Sequence, residues 1–171
     1  MVSRILIPTD FSTASLQVVL AYLEQTENRQ VEIILACGVD FGTSITMLLG
    51  FDKDFYLDEI QGEDFIKGCQ MIRSRYKDKL IEIYADLVIS KNRRYIANYL
   101  KGNRIEELVL SERYQHSDSH HHTFDLHGRL CELQKNVGSI VNKLAVPQQE
   151  KDERDELEVL FFRNDRKLSY E

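Results

Sequence analysis

The chain has 171 residues, 43% of them hydrophobic, and a formal net charge of −6, which suits one globular domain with a full core and is short for two. The negative balance opposes nucleic-acid backbones and anionic membranes as partners, and no apolar run approaches the roughly 20 residues of a membrane span. Cys37, Cys69 and Cys131 are odd in number and form no C-x-x-C pair. They read as core or near-core thiols of a reducing compartment, so the cytoplasm is the expected location, and the first residues lack the pattern of a secretory signal.

The chain opens on an apolar strand, with Ile5, Leu6 and Ile7 running into a turn of Pro8, Thr9 and Asp10. Ser12 follows as an N-cap, and Leu16, Val19, Leu20 and Leu23 mark one stripe of a helix of about 13 residues. Residues 31–39 (VEIILACGV) are nearly continuous in apolar character, as a strand buried on both faces requires. Strand, helix, strand is a βαβ unit and predicts a parallel sheet with right-handed crossovers.

Residues 40–62 mix apolar and acidic residues between Gly42, Gly50 and Gly62. They are expected to form at most a short helix over 43–49, followed by a mobile or lid-like loop. Helical period returns from Glu63 (Phe65, Cys69, Ile72, Tyr76), and residues 80–90 predict a third strand. A short helix over 93–100 with Gly102 beyond it leads to a fourth strand over 105–111. A polar segment, 112–124, holds four of the five histidines. A long helix is expected over 128–144, from the spacing of Leu130, Leu133, Val137, Ile140, Val141 and Leu144, stopped by Pro147. A charged linker over 148–156 then precedes a candidate fifth strand, 157–163 (LEVLFFR). The fold class is α/β, an open, mainly parallel five-stranded sheet with helices on both faces, spanning 4–147, with 148–171 as linker plus strand.

In open α/β sheets, ligands sit beyond the carboxyl ends of the strands, which places Pro8, Thr9 and Asp10 where a site is sought. The opening run, RILIPTDFSTAS over residues 4–15, resembles the first strand and turn of universal stress proteins, and the strand–helix order over 4–147 is similar to theirs. Their nucleotide-binding members carry Gly, two residues, Gly, nine residues, then Gly-Ser or Gly-Thr after the fourth strand. Here Gly128 and Gly138-Ser139 keep the nine-residue spacing, and His127-Gly128-Arg129 resembles part of the same loop. Asp125 replaces the first glycine, and 112–124 is an insertion if Ser111 marks the strand end.

The resemblance implies a Rossmann-like fold of the adenine nucleotide alpha hydrolase type, a homodimer formed through the last strand, and ATP or AMP as ligand. Asp10 would then lie near adenine and ribose beside Pro8 and Thr9, Gly38 at the adenine edge, and Gly128, Gly138, Ser139 and Ile140 at the phosphates. A carboxylate at position 125 would repel those phosphates. With no general base legible, the expectation is binding and signalling in a stress response, without significant catalysis beyond slow hydrolysis. The alternative is a ligand-free dimeric interaction module whose pocket is closed by 112–125. A third and lowest-ranked reading gives a metal site to His116, His120, His122 and His127, although their spacing fits no zinc motif and a solvated, pH-sensitive loop explains them better.

Overall fold

The computed structural model describes residues 1–114, 116, 120, 122–135, 138–145, 157, 160 and 161. Its strands are β1 (Val2–Pro8), β2 (Gln30–Val39), β3 (Leu80–Val88), β4 (Glu107–Ser111), β5 (Thr123–Phe124) and β6 (Ile140–Leu144). Five of them lie in the order β3-β2-β1-β4-β6, each pair parallel, while β5 pairs antiparallel with the end of β2. The helices are α1 (Leu16–Gln25), α2 (Ile45–Leu49), α3 (Lys53–Ile60), α4 (Glu63–Arg75), α5 (Arg93–Gly102) and α6 (Leu126–Leu133).

The layers follow from the two-residue period of the strands. Ile5, Ile7, Ile33, Leu35 and Cys37 pack into one core with α1, α3 and α4, whereas Leu6, Ile34, Ala36, Leu108 and Leu110 pack into the other with α5 and α6. Both sides of β1 and β2 are therefore dry, which is why these strands read as unbroken apolar runs.

The amino ends of the strands are tied together by one buried carboxylate. Glu107, 5% exposed, accepts hydrogen bonds from the Tyr22 hydroxyl at 3.1 Å, Arg29 Nη1 at 3.1 Å and Asn142 Nδ2 at 3.1 Å. The bonds join α1, the turn before β2, and β6 to the start of β4. Burial, reinforced by the Glu107 charge, pushes the Tyr22 phenol up to about 12, so Tyr22 stays a donor at neutral pH.

Three expectations are corrected. The helix expected over 128–144 is two elements: α6 ends at Leu133, and Ile140–Leu144 is the fifth parallel strand, paired with β4. The loop expected up to Gly62 contains a second helix, α3, which Asp52 caps by accepting the N–H groups of Asp54 and Phe55. At the candidate strand 157–163, the described residues Leu157, Leu160 and Phe161 are helical and pack against the α1/α4 core. Their i, i+3, i+4 spacing puts them on one helical face. The linker 148–156 lies outside the described residues.

Replacing Glu107 with alanine leaves the Tyr22 hydroxyl buried without its acceptor and opens the amino edge of the sheet. The Glu107→Ala protein should lose about 2–4 kcal/mol of unfolding free energy in urea titration, more than Glu107→Gln, which keeps an acceptor oxygen.

Candidate functional site

The site predicted from the sequence begins where β1 stops. Pro8 has no N–H to continue the ladder, and its last parallel partner is Ala36. Thr9 N–H still reaches the Ala36 carbonyl at 2.9 Å, and then the chain turns sharply, with Phe11 at a φ of 59°. Asp10 stabilises that turn: its Oδ1 accepts the Ser12 N–H at 3.0 Å and the Ser12 hydroxyl at 2.5 Å. Thr9 Oγ1 accepts the Phe11 N–H at 2.9 Å and lies 2.7 Å from Ser15 Oγ. Ser12 caps the 3-10 turn that leads into α1, accepting from Ser15 N–H. Thr9 and Asp10 are both buried, and much of their polar capacity is directed at their own turn.

The segment after β4 brings a short strand to the carboxyl end of β2. β2 runs past the end of β1, and β5 takes up the vacated position, pairing Gly38 with Phe124 and Val39 with Thr123. The Asp40 N–H extends the contact to the His122 carbonyl at 2.8 Å. β1 lies between β4 and β2 in the sheet, and β5 pairs with β2. The Phe124 ring then lies directly on Gly38, where an added Cβ would meet ring carbons at 2.7 Å. Gly38, expected at an adenine edge, instead accommodates an aromatic ring of the chain itself.

The same closure occurs at the helix terminus. Gly128 does lie in the first turn of α6, but its N–H is taken by Asp125 Oδ1 at 2.9 Å. Asp125 is thus the N-cap, and its carboxylate occupies the position in which a helix N-terminus receives a phosphate. Next to it, the Tyr114 ring stacks on His127 with centroids 4.4 Å apart and planes 13° from parallel. Burial pushes the Tyr114 phenol up, and the charges of Asp10 and Asp125 add to the effect. His127 donates Nε2–H to the Ser111 carbonyl at 2.9 Å, leaving Nδ1 to face Cys131 Sγ at 3.7 Å. Burial holds the His127 pKa below its ordinary value.

Gly138, Ser139 and Ile140 are at the other end of the molecule. Ser139 Oγ donates to the Ile105 carbonyl at 2.7 Å, and Ile140 aligns with Glu107 at the start of β4. Glu107 is level with Ile5 of β1, so about five strand residues, roughly 16 Å, separate Ile140 from Asp10. The glycine spacing that suggested a phosphate loop therefore spans opposite edges of the sheet.

The histidines do not converge either. His127 faces Ser111, Tyr114 and Cys131; His116 Nδ1 lies 3.3 Å from the Tyr114 hydroxyl; His122 packs against Phe41; and His120 offers its carbonyl to the Thr123 hydroxyl. Among the described residues, no group of three or more His, Cys, Asp or Glu side chains is arranged to hold a metal ion.

Sequence reasoning missed Tyr114 and Phe124, although an aromatic beside the departing Asp125 was the available signal. It also missed Asp86, a buried carboxylate that accepts from Leu87 N–H at 2.7 Å and the Tyr99 hydroxyl at 2.5 Å and pairs with Lys53. An open groove of about 290 Å³ lies outside the plug, lined by Lys91, Phe124, Asp125, Gly128, Arg129 and Glu132. Its cations are matched by carboxylates, Lys91 with Asp40 at 3.0 Å and Arg129 with Glu132 at 3.2 Å.

No family model and no curated protein matches the sequence. Solved structures do match the fold. The hypothetical protein MJ0577 is 15% identical at a TM-score of 0.52, with 86% of this chain and 98% of that one covered. The hypothetical protein PH0823 is 16% identical at 0.51, covering 85% and 98%. A protein of the universal stress protein family from Burkholderia pseudomallei is 14% identical at 0.51, covering 84% and 96%. The chain therefore has the universal stress protein fold, as its opening strand implies. Among the described residues no helix is long and apolar enough to cross a membrane.

Because His127 is held neutral by burial, the unfolded chain binds its proton first, at about pH 6.5. Stability should fall as pH drops below about 6.5 and level off once the folded imidazole is protonated. Urea titrations of the native chain and of His127→Gln across pH 5 to 7.5 would show this component of the slope only in the native chain.

Proposed function

We propose that this chain is a divergent, non-catalytic universal stress protein-like module, serving stress response or signalling through protein contacts, whose nucleotide crevice is filled by its own 112–125 segment. The observation that carries the reading is the coincidence of the two plugs: Phe124 on Gly38 and the Asp125 carboxylate on the α6 N-terminus. ATP or AMP does not fit the residues as they stand, since the base would displace Phe124 and the phosphates would meet a carboxylate. In this reading the thiols serve as packing groups rather than nucleophiles. Burial pushes Cys37 and Cys69 up to about 12 and Cys131 upward, so they remain protonated and weakly nucleophilic.

A homodimer belongs to the same reading. β6 ends the sheet path, and Ile140 N–H points inward to Glu106 while the Leu144 carbonyl accepts from Glu112. In a strand the backbone groups alternate sides, so those of Val141 and Lys143 point outward, available to a second copy's strand.

Calorimetric titration with ATP and with AMP should give no saturable heat up to millimolar ligand. A Phe124→Ala/Asp125→Gly variant, with both plugs removed, should bind detectably. Tight binding of either nucleotide to the native chain would refute the reading.

Light scattering should give twice the 20.0 kDa chain mass, and Lys143→Pro, which removes an outward N–H, should give the monomer. An unchanged mass in that variant would remove β6 from the interface.

A further inference from the structure

Residues 40–64 connect β2 to α4 through two helices, α2 and α3. α2 buries none of its five residues, yet four are large and apolar: Ile45 is 71% exposed, Met47 41%, Leu48 49% and Leu49 85%. Phe55, in the first turn of α3, is 69% exposed. Five such side chains within eleven residues are a concentration that soluble surfaces rarely leave uncovered.

The same segment holds packed side chains as well as exposed ones. Phe41, Phe51 and Tyr56 form a ring cluster with centroids 4.8, 5.8 and 5.9 Å apart. Leu57 and Ile60 bury α3 against the main core, and Lys53 is tied to the buried Asp86.

The charge around it is one-sided. Between residues 40 and 64 stand seven carboxylates and a single lysine. By sequence the segment carries a charge of −6; Asp40 and Glu63 are paired with Lys91 and Lys67 from outside it, and the lysine within it pairs with Asp86. Asp54, Asp58, Glu59, Glu63 and Asp64 are exposed.

We propose that this apolar, acid-rimmed surface docks a basic amphipathic helix from another protein. Leu, Ile, Met and Phe side chains offer seats for anchors spaced three or four residues apart, and methionine adapts to irregular shapes. The carboxylates complement Lys and Arg flanking those anchors, which speeds encounter and fixes orientation. The charge decides among occupants. A second copy docked on this face would set two equally acidic rims against each other, and an anionic lipid surface would be repelled. The inference does not depend on whether the crevice takes a nucleotide.

The test uses the full chain and a labelled synthetic peptide of about 18 residues, Leu and Lys patterned to give one apolar helical face. Controls are an isomer of the same composition scrambled to abolish that face, and a Leu/Glu amphipath. Anisotropy should show saturable binding of the Leu/Lys amphipath, about tenfold or more tighter than the scrambled isomer, and none of the Leu/Glu peptide. Leu49→Ser/Phe55→Ser should weaken binding about tenfold with unchanged circular dichroism, since both side chains are exposed. Asp58→Asn/Glu59→Gln should flatten the salt dependence. Equal binding of the scrambled isomer would reduce the effect to unspecific charge attraction and overturn the proposal. So would unchanged affinity in both variants, a loss of oligomer mass in Leu49→Ser/Phe55→Ser, or preferential binding to phosphatidylserine vesicles.

Discussion

β1 ends at Pro8 while β2 runs on to Val39, and the pairing of β5 with the end of β2 follows from that mismatch. Buried backbone groups need partners, and β1 supplies none past the Thr9 N–H. An open crevice at this place would leave the end of β2 to water or to a ligand. Here β5 supplies the partners, with Gly38 opposite Phe124 and Val39 opposite Thr123. Glycine at 38 is what lets an aromatic side chain lie flat on the sheet, since any Cβ there would collide with the ring. Once Phe124 is fixed, the next residue is delivered to the start of α6, and Asp125 caps it. Strand pairing, ring packing and capping are three local effects that converge on one geometry, each worth only about 1 kcal/mol or a little more alone.

The parts of the fold legible in the sequence are those whose burial pattern admits one reading. β1 and β2 are covered on both faces and appear as apolar runs; α1, with Leu16, Val19, Leu20 and Leu23 buried, shows its stripe directly. The illegible parts admit two readings. Leu130, Leu133, Ile140 and Leu144 fit one helical face, but Gly138-Ser139 breaks it, and those residues were assigned to a phosphate loop because of their spacing. The turn they make is the ordinary one that starts a strand. Leu157, Leu160 and Phe161 suffered the opposite error: β-prone composition concealed a helical i, i+3, i+4 pattern.

The candidate site was legible only in its first wall. Thr9 and Asp10 stand at the end of the first strand, a place with a general meaning in parallel sheets. The sequence could not show which edge of the sheet Gly138 occupies, because that depends on where α6 ends. Nor could it show that Asp125 would turn from an obstacle to phosphate into its replacement. A carboxylate that repels an anion in the chain's neighbourhood is, at a helix N-terminus, the best available partner for the same N–H groups. The sign of the effect is set by geometry that a linear sequence does not contain.

The chain's two elaborated segments, 40–64 and 112–125, are joined. The Asp40 N–H holds the His122 carbonyl at 2.8 Å, and the His122 ring packs on Phe41 at 5.4 Å, the same Phe41 that belongs to the ring cluster of the 40–64 segment. The strand paired with the end of β2 thus adjoins the residue that packs on Phe41 of the ring cluster. Opening the crevice would withdraw His122 from Phe41, and burial of Phe41 among Phe51 and Tyr56 resists that withdrawal. In a parallel α/β domain the carboxyl edge ordinarily serves a small ligand. Here both segments use that edge to hold each other, and the surface they leave facing solvent is the apolar face of α2 and Phe55.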